Sequence, residues 1–316
     1  MEEFTFVTIS YNQQDYIIEH LESIKNQIIK YGKDYKNSIL ICDDCSCDKT
    51  IEYAQRWLDY NKDYFYKIKI LEQEKNQGIV NNYLNGLNNI ESDMFSLIAG
   101  DDLYFDNSVY EAAKESEFVY TPRISFDSYG MIQNEDLWLF KVCMTSRHGI
   151  QKEMTKWMKY RMVVDDMSVK WRKGLCTSGL ISAVKKYKWV EDYPTMEYIL
   201  RDSHLNAKLF YKPIVLYRND SGISHKKVKR KKTEYDIEQE KMFKDYHLKI
   251  AYAPKYINIY NYYFYAYKKL CLIKAKHNRK VQDFEMFYKN ECDRAFGYLN
   301  TIKLLARNFI NNDIGK

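Results

Sequence analysis

Residues 4–10 read FTFVTIS, and around this stretch the chain alternates short apolar runs with helical patterns. The stretch is rich in β-branched and aromatic residues, which predicts a strand. Apolar residues then recur at helical spacing over residues 17–29, and a second strand is predicted at residues 38–42. Residues 66–71 alternate in polarity, and residues 94–99 form a continuous apolar run that predicts a strand buried on both faces. Strands that alternate with helices predict an α/β fold with a parallel sheet and right-handed crossovers.

Two more helices are predicted between these strands, at residues 50–58 and 78–87, with Asp48 as the N-cap of the first. A further strand is predicted at residues 209–218, interrupted by Pro213, and helices are predicted from about residue 233 onward. In parallel sheets of this kind, ligands bind beyond the carboxyl ends of the strands. The residues that follow each strand are therefore the first candidates for a functional site.

The composition of the 316-residue chain is typical of a folded protein with one large or two small domains. Its 49 Lys and Arg against 43 Asp and Glu give a net charge of +6, which is too weak to indicate a nucleic-acid partner. Seven Cys without a regular framework argue against a disulfide-stapled secreted protein. No apolar run is long enough to span a membrane, and the start at residues 1–4 is not a secretory signal. We therefore expect a cytoplasmic protein.

Polar side chains follow three of the predicted strands and would meet at one rim of the sheet. Adjacent carboxylates repel each other, so a pair stays ionised only beside a cation or several hydrogen-bond donors. Mg²⁺ takes one or two carboxylates together with substrate phosphates, which predicts a nucleotide-diphosphate site with a bridging metal. The alternative is that the carboxylates are polar loop residues and helix caps. The residues concerned are Thr8, Ser10 and Tyr11 at the end of the first strand, Asp43 and Asp44 at the end of the second, and Asp101 and Asp102 at the end of the fourth.

Glycine-rich phosphate loops do not follow the first strand, because neither GxGxxG nor GxxxxGK[ST] occurs there. This excludes the usual dinucleotide-binding and P-loop sites. Phosphates would have to be bound by a metal and by side chains.

Four segments, in this order, resemble the family 2 glycosyltransferases of the GT-A fold, the class that builds bacterial surface polysaccharides. They are VTISYNQ at residues 7–13, DDCSCDKT at 43–50, NQGIVNNYLNGL at 76–87 and AGDDLY at 99–104. Residues 118–130, FVYTPRISFDSYG, resemble the continuation of the family.

The resemblance implies a GT-A glycosyltransferase domain over residues 1–225 and a helical, basic C-terminal region over residues 226–316. Within the domain, the nucleotide-sugar part would cover about residues 1–120 and the acceptor part about residues 121–225.

The resemblance also implies a role for each matching residue. Asp102 would bind Mn²⁺ or Mg²⁺ directly, while Asp101 would contact ribose or sugar and share in the metal site. Gly78 also has a physical role, because a missing side chain permits close approach of the backbone. The remaining assignments are Thr8, Ser10 and Tyr11 lining the nucleoside pocket, Asp43 and Asp44 near the uracil and ribose, and Asn76 and Gly78 in the turn that closes over the nucleotide.

The acceptor half is represented by residues 190–194, VEDYP, which resemble the family's acidic pair at the start of a helix. One carboxylate of that pair serves the family as general base. The acceptor hydroxyl is a poor nucleophile and must lose its proton as it attacks. We favour Asp192 over Glu191 for this role. The alternative is an acidic pair favoured at the helix N-terminus by the macrodipole.

Residues 216–225, LYRNDSGISH, resemble a later segment of the family, and Arg218 or His225 could reach the diphosphate. The alternative for His225 is an exposed loop histidine.

Basic residues are concentrated in the C-terminal part, in the run 226–232, KKVKRKK, and within 268–280 beside the Tyr-rich run 256–267. This composition is typical of a peripheral membrane surface. A solvated tail or an oligomer contact is the alternative.

These observations predict an inverting, metal-dependent hexosyltransferase. It would move a sugar from a nucleotide-sugar, with UDP favoured, to a growing capsular or other cell-surface glycan, free or lipid-linked. A nucleotidyltransferase using the same carboxylates, or a catalytically inactive nucleotide-sugar-binding protein of the same fold, are the alternatives.

Overall fold

Four parallel strands form the central sheet, in the order β3-β2-β1-β4. The computed structural model describes residues 1–133, 137–160, 169–221, 233–246 and 259–314. The strands are β1 (Glu2–Ser10), β2 (Tyr35–Asp43), β3 (Lys67–Glu72) and β4 (Met94–Ala99). This confirms the four strands predicted in the N-terminal part, and their shared direction places their carboxyl ends on one edge of the sheet.

Helices cover both faces of this sheet: α1 (Ile17–Tyr31), α2 (Thr50–Asn61) and α3 (Ile79–Asn89). Because side chains alternate along a strand, Phe4 and Phe6 of β1 pack in the core shared with α1 and α2. Val7 and Ile9 pack instead in the core shared with α3.

The N-cap of α2 lies one residue later than predicted. Lys49 occupies the N-cap position, while the Asp48 carboxylate accepts hydrogen bonds from the backbone N–H and hydroxyl of Thr50.

Two small sheets extend the central one, with strand orders β5-β11-β7-β8 and β10-β6-β9. The first combines a parallel pair, β7 and β11, with antiparallel edges. The elements that follow β4 in chain order are β5 (Leu103–Tyr104), α4 (Val109–Glu115), β6 (Phe118–Tyr120), β7 (Arg123–Phe126), β8 (Ile132–Gln133), α5 (Trp138–Met144), α6 (Ile150–Met158), β9 (Val169–Trp171), α7 (Ser178–Val184), α8 (Asp192–Leu200), β10 (Ala207–Leu209) and β11 (Val215–Arg218).

The single strand predicted at residues 209–218 is wrong, because the structure divides it into β10 and β11, which belong to different sheets. Pro213 lies between them and has no N–H to donate to a ladder. Its carbonyl accepts a hydrogen bond from Asn107 Nδ2 at 2.8 Å. The carbonyl of Ile214 accepts one from the N–H of Phe105 at 2.7 Å. This crossing brings β11 beside the residues that follow β4.

The C-terminal part is helical, as predicted, with α9 (Glu234–Asp245), α10 (Ile259–Lys276) and α11 (Arg279–Phe309), which ends in a short π-turn. Leu299 and Ile302 of α11 pack in the same apolar core as Leu103 and Phe105. None of the helices in the described ranges is long and apolar enough to cross a membrane.

Candidate functional site

A cavity of about 590 Å³ lies beyond the carboxyl ends of β1, β2 and β4. Its position agrees with the general rule for parallel sheets. The start of α3, the residues that enter α8, the end of β11 and one face of α9 complete its wall. Most of the predicted site residues line it, namely Ser10, Tyr11, Asp44, Asn76, Asp101, Asp102, Glu191, Asp192 and Arg218.

Thr8, Asp43 and Gly78 do not line the cavity, and His225 lies outside the described residues. Thr8 is fully buried two residues before the end of β1, and its Oγ1 lies 2.8 Å from His20 Nε2. The other ring nitrogen of His20 lies 2.7 Å from the backbone oxygen of Asp102. Burial lowers the pKa of His20 to about 4, so the ring is neutral at pH 7. Thr8 thus supports the site from beneath, through His20.

The two carboxylates after β2 have different positions. Asp43 is turned into the loop, where its oxygens accept hydrogen bonds from the hydroxyl of Ser10 at 2.9 Å and from the hydroxyl and N–H of Ser46 at 2.6 and 2.7 Å. Asp44 faces the cavity and accepts hydrogen bonds from the N–H groups of Gln77 at 2.7 Å and Gly78 at 2.8 Å. Burial raises the pKa of Asp44. Asp44 therefore binds the turn at the head of α3 to the rim of the cavity.

The loops after β1 and β2 are joined by reciprocal hydrogen bonds. The N–H of Asn12 donates to Ser46 Oγ, and Asn12 Oδ1 accepts from the N–H of Cys47, both at 2.8 Å. Asn12 and Cys45 adopt the left-handed region, with φ of 53° and 63°, a conformation that is uncommon for residues other than glycine. The bonds across the two loops stabilise these conformations and build one continuous rim.

Gly78 occupies a position that only glycine fits. Its φ is +88°, and a Cβ there would lie 2.8 Å from Lys188 Cγ and 3.0 Å from the Lys188 carbonyl oxygen. That carbonyl accepts a hydrogen bond from the N–H of Val80 at 3.2 Å. The close approach therefore brings the segment that precedes α8, with its acidic pair, onto the N-terminus of α3.

The acidic pair after β4 is held by neighbours on two elements. Asp101 Oδ1 accepts a hydrogen bond from Gln13 Nε2 at 3.0 Å, and Oδ2 accepts one from the Ser221 hydroxyl at 2.6 Å. Asp102 Oδ1 accepts one from the backbone N–H of Arg218 at 2.9 Å. Burial, and then the charge of Asp101, raise the pKa of Asp102 well above its usual value. A cation at this position would favour the ionised form.

Arg218 connects the turn that carries Asp101 and Asp102 to helix α1. Its Nε donates to the Asp101 carbonyl at 2.9 Å, and its guanidinium donates to Glu19 of α1 at 2.7 Å. The guanidinium also lies over the rings of Tyr16 and Phe126, 4.3 and 4.5 Å from their centroids. Arg218, with 2% of its surface exposed, therefore forms a largely buried ion pair with Glu19 at the wall of the cavity.

Another part of the wall carries Glu191 and Asp192, at the start of α8, and side chains of α9. Tyr235 belongs to that helix, and burial raises its pKa to about 12, with the charges of Glu191 and Asp192 adding to the effect. Glu238 anchors the helix by accepting hydrogen bonds from the N–H groups of Lys188, at 2.7 Å, and Trp189. The acidic pair and α9 therefore form one unit.

Several cavity residues escaped prediction. Gln13 and Asn82 lie inside segments that were quoted for the resemblance, so their position in the sequence was a usable signal. The residues of α9 offered none, because no motif accompanies them and only packing brings them to the cavity. The missed lining residues with polar or aromatic side chains are Gln13, Asn82, Tyr83, Trp189, Tyr217, Ser221, Tyr235 and Gln239.

Two buried amide oxygens of the wall, Gln13 Oε1 and Asn82 Oδ1, have no hydrogen-bond partner within the described part of the chain. A Cβ at Gly100 would lie 2.5 Å from Gln13 Oε1, so the absence of a side chain at Gly100 leaves space for this amide.

No cluster of three or more His, Cys, Asp or Glu side chains that could hold a metal occurs among the residues described. The carboxylate oxygens of Asp101 and Asp102 nevertheless suit a hard cation that takes its other ligands from a substrate.

Residues 5–161 match the family model for glycosyl transferase family 2. No curated protein matches the chain.

Solved structures with a similar fold include Staphylococcus aureus TarS. One TarS structure is 15% identical with a TM-score of 0.56 over 96% of this chain and 54% of the other. TarS 1–349 in complex with UDP-GlcNAc is 14% identical with a TM-score of 0.52 over 95% of this chain and 81% of the other. TarS 1–349 in complex with UDP is 17% identical with a TM-score of 0.52 over 69% of this chain and 60% of the other. This chain thus spans less than two thirds of two of these structures, and the likeness shows the shared GT-A fold.

Proposed function

Residues 5–161 place this chain in glycosyl transferase family 2, and on that premise we propose that it transfers a hexosyl group from a UDP-sugar to a glycan hydroxyl. One observation carries the proposal: the carboxylates after β4 and those at the start of α8 line the same cavity. The first pair suits the diphosphate of a donor, and the second suits the proton of an acceptor. The choice of UDP is supported by the UDP and UDP-GlcNAc complexes of TarS, which has the same fold.

The donor side of the proposed site would bind Mn²⁺ or Mg²⁺. Asp102 and Asp101 are the proposed ligands, and Gln13 Nε2 donates a hydrogen bond to Asp101. The chemistry supplied by the bound ion is neutralisation of the charge that develops on the departing diphosphate. Arg218 holds residues 101 and 102 in place, through the carbonyl of Asp101 and the ion pair with Glu19.

The acceptor side would supply the general base. In our proposal Asp192 accepts the proton of the acceptor hydroxyl while that oxygen attacks the anomeric carbon. The bond from the anomeric carbon to the diphosphate oxygen breaks on the opposite face, so the product has inverted configuration. Glu191 is the alternative base, since it lines the same cavity. Tyr235 and Gln239 of α9 would form the wall against which the acceptor lies.

The proposed acceptor is a capsular or other cell-surface glycan, free or linked to lipid. This part rests on the resemblance of the four motifs to enzymes of surface polysaccharide synthesis.

A donor screen tests the proposal directly. UDP-, GDP-, CMP- and dTDP-sugars are added with Mn²⁺ or Mg²⁺, and the melting temperature and the release of nucleotide are measured. We expect a UDP-sugar to raise the melting temperature, because a ligand that binds only the folded state stabilises it by mass action. A nucleoside triphosphate that is turned over in place of a sugar nucleotide would indicate a nucleotidyltransferase. Binding without any turnover would indicate an inactive binding protein.

The metal site is tested with Asp102→Ala. We expect this variant to lose the Mn²⁺-dependent part of UDP binding, because a diphosphate-bound ion needs a hard anionic ligand. Asp93→Ala, which removes a carboxylate outside the cavity, is the control and should bind normally. Unchanged UDP affinity and an unchanged response to Mn²⁺ in Asp102→Ala would refute the assignment.

The base is tested with Asp192→Asn and Glu191→Gln, which keep side-chain shape and remove basicity. We expect Asp192→Asn to bind donor normally and to lose turnover by about 10²–10⁴-fold. If Glu191→Gln is inactive instead, the base is Glu191. Full activity of both variants would refute the acidic pair as the source of the base.

A further inference from the structure

Helix α10 is attached to the body of the protein by one face. Phe264 packs against the rings of Trp138 and Trp157, with centroids 6.0 and 5.7 Å away. Tyr267 stacks on Trp157 at 5.2 Å, and Ala275 is buried further along the same face. These contacts fix which side of the helix points outward.

The outward side carries an apolar stripe, formed by Tyr262, Ala266, Leu270 and Ile273. Intervals of four, four and three residues keep these side chains on one face of a helix. Tyr262 is 73% exposed, Leu270 57% and Ile273 48%. Large apolar side chains are normal on a surface when they are scattered singly, whereas a continuous row indicates a binding surface.

Positive charge borders the stripe on both sides. At about 100° per residue, Lys269 and Lys276 project on one side of it and Lys274 on the other, and all three are exposed. Residues 259–276 contain no Asp or Glu. Tyr263 and Tyr265, which are 51% and 66% exposed, flank the stripe near its start. The surface is therefore apolar along its centre, aromatic at one end and cationic along its edges.

We propose that this face of α10 docks the protein onto an anionic lipid surface. Apolar residues in a row, flanked by lysines, are typical of helices that lie in the headgroup region of a membrane. Tyrosine suits that depth, because its ring is apolar and its hydroxyl is polar. A second copy of the chain fits less well, because it would bring two sets of α10 lysines together. The proposal goes beyond sugar transfer and depends on no residue of the cavity.

Vesicle co-sedimentation of the full chain tests the proposal. The two probes are vesicles of phosphatidylcholine alone and of phosphatidylcholine mixed with phosphatidylglycerol. We expect binding to the mixed vesicles at low salt, weaker binding at high salt because exposed charges are screened, and little binding to phosphatidylcholine alone. Absence of binding to the mixed vesicles at low salt would overturn the proposal, and so would equal binding to both kinds of vesicle.

A matched pair of variants localises the binding. Leu270→Glu places a charge in the stripe, and Leu304→Glu places the same charge on α11, where Leu304 is 56% exposed. We expect Leu270→Glu to weaken vesicle binding by about tenfold or more, because both the apolar and the electrostatic contributions are reduced. Leu304→Glu has the same net charge and should bind nearly as the unmodified chain does.

Two further results would overturn the assignment. One is equal loss of vesicle binding in both variants, which would trace it to net charge alone. The other is a change in oligomeric state, by light scattering, in Leu270→Glu with unchanged vesicle binding, which would make the stripe a contact between copies. A cooperative thermal transition close to that of the unmodified chain in both variants shows that they are folded, so loss of vesicle binding in Leu270→Glu alone would support the proposal.

Discussion

Single residues with unusual surroundings carry much of the geometry of the site. Gly78 permits the contact between α3 and the segment before α8. Arg218 connects the turn after β4 to α1 through its ion pair. Asp44 accepts hydrogen bonds from two backbone amides. Each acts at a junction between elements that are distant in sequence. Substitution of any of them should therefore disturb the relative positions of the elements around the cavity more than the helix or strand in which the residue lies.

Gly78→Ala should destabilise the protein. The new Cβ would meet Lys188 at 2.8 Å, and φ of +88° is strained for alanine, so we expect a loss of about 1–3 kcal/mol in the free energy of unfolding. Gly297→Ala is the control, because nothing lies within 4 Å of its Cβ position in α11. There we expect a gain of about 0.5–1 kcal/mol, since alanine favours a helix. Urea unfolding measures both, and equal effects of the two substitutions would contradict the argument.

Gln13→Ala should weaken metal-dependent donor binding. Gln13 Nε2 donates a hydrogen bond to Oδ1 of Asp101, a proposed metal ligand, and so holds that carboxylate in position. Loss of a side chain that orients a metal ligand costs roughly 10–100-fold in metal affinity. Gln14→Ala is the control, because the Gln14 amide oxygen accepts from the N–H of Lys49 instead. Titration of Mn²⁺ in the presence of UDP gives the two affinities, and similar values would remove Gln13 from the site.

Helix α9 is the element that the proposed acceptor side depends on most. A capping box of Thr233 and Asp236 begins it, and Tyr187 donates a hydrogen bond from its hydroxyl to Asp245 near its end at 3.0 Å. Glu238 lies between these points and accepts hydrogen bonds from two backbone amides of the segment before α8. Tyr235 and Gln239 are therefore positioned by these hydrogen bonds together with the packing of Met242 and Phe243 in the apolar core.

Glu238→Ala should loosen α9 from the cavity. Hydrogen bonds to a charged group contribute about 1.5–3 kcal/mol each, so amide exchange should accelerate at Lys188, at Trp189 and along α9. Glu234→Ala, at an exposed position of the same helix, is the control. Hydrogen exchange resolved by segment measures the effect. Unchanged protection in Glu238→Ala would show that other contacts hold the helix.

At the scale of the whole molecule, α11 joins the C-terminal part to the part of the chain that contains the central sheet. Glu291 accepts a hydrogen bond from Asn107 Nδ2 at 2.7 Å, and the Tyr298 hydroxyl donates to the carbonyl of Tyr104 at 2.8 Å. Apolar side chains of α11 complete the core around β5 and β7. The division at residues 225 and 226 stays a prediction, and the packing of α11 provides a way to test it.

The fragment of residues 1–225 should not fold as a stable unit. Without α11, Leu103, Phe105 and Ile124 would lose apolar partners, and removal of one buried large side chain alone costs about 2–5 kcal/mol. We expect the fragment to bind a hydrophobic dye and to lack a cooperative thermal transition. A cooperative transition near that of the full chain would support an independent domain ending at residue 225.

The local sequence pattern was sufficient to predict the central sheet and most of the residues of the proposed donor side. The periodicity of apolar residues predicts the strands and helices. The parallel arrangement of the strands then places Ser10, Asp44 and Asp102 at one edge of the sheet. Predicted and observed elements agree there because strands and helices alternate along the chain, so that a change in the spacing of apolar residues marks each boundary. The family resemblance added the acidic pair at the start of α8, which the fold brings to the same cavity.

The features that the sequence did not predict depend on contacts between residues that are far apart in the chain. Sequence spacing could not show which of Asp43 and Asp44 faces the cavity, because that depends on hydrogen bonds to Ser46 and Gly78 in the folded loops. It could not separate β10 from β11, and it gave no sign that α9 forms a wall of the site. Periodicity reports the environment of one element at a time, whereas these features arise from contacts between residues far apart in the chain.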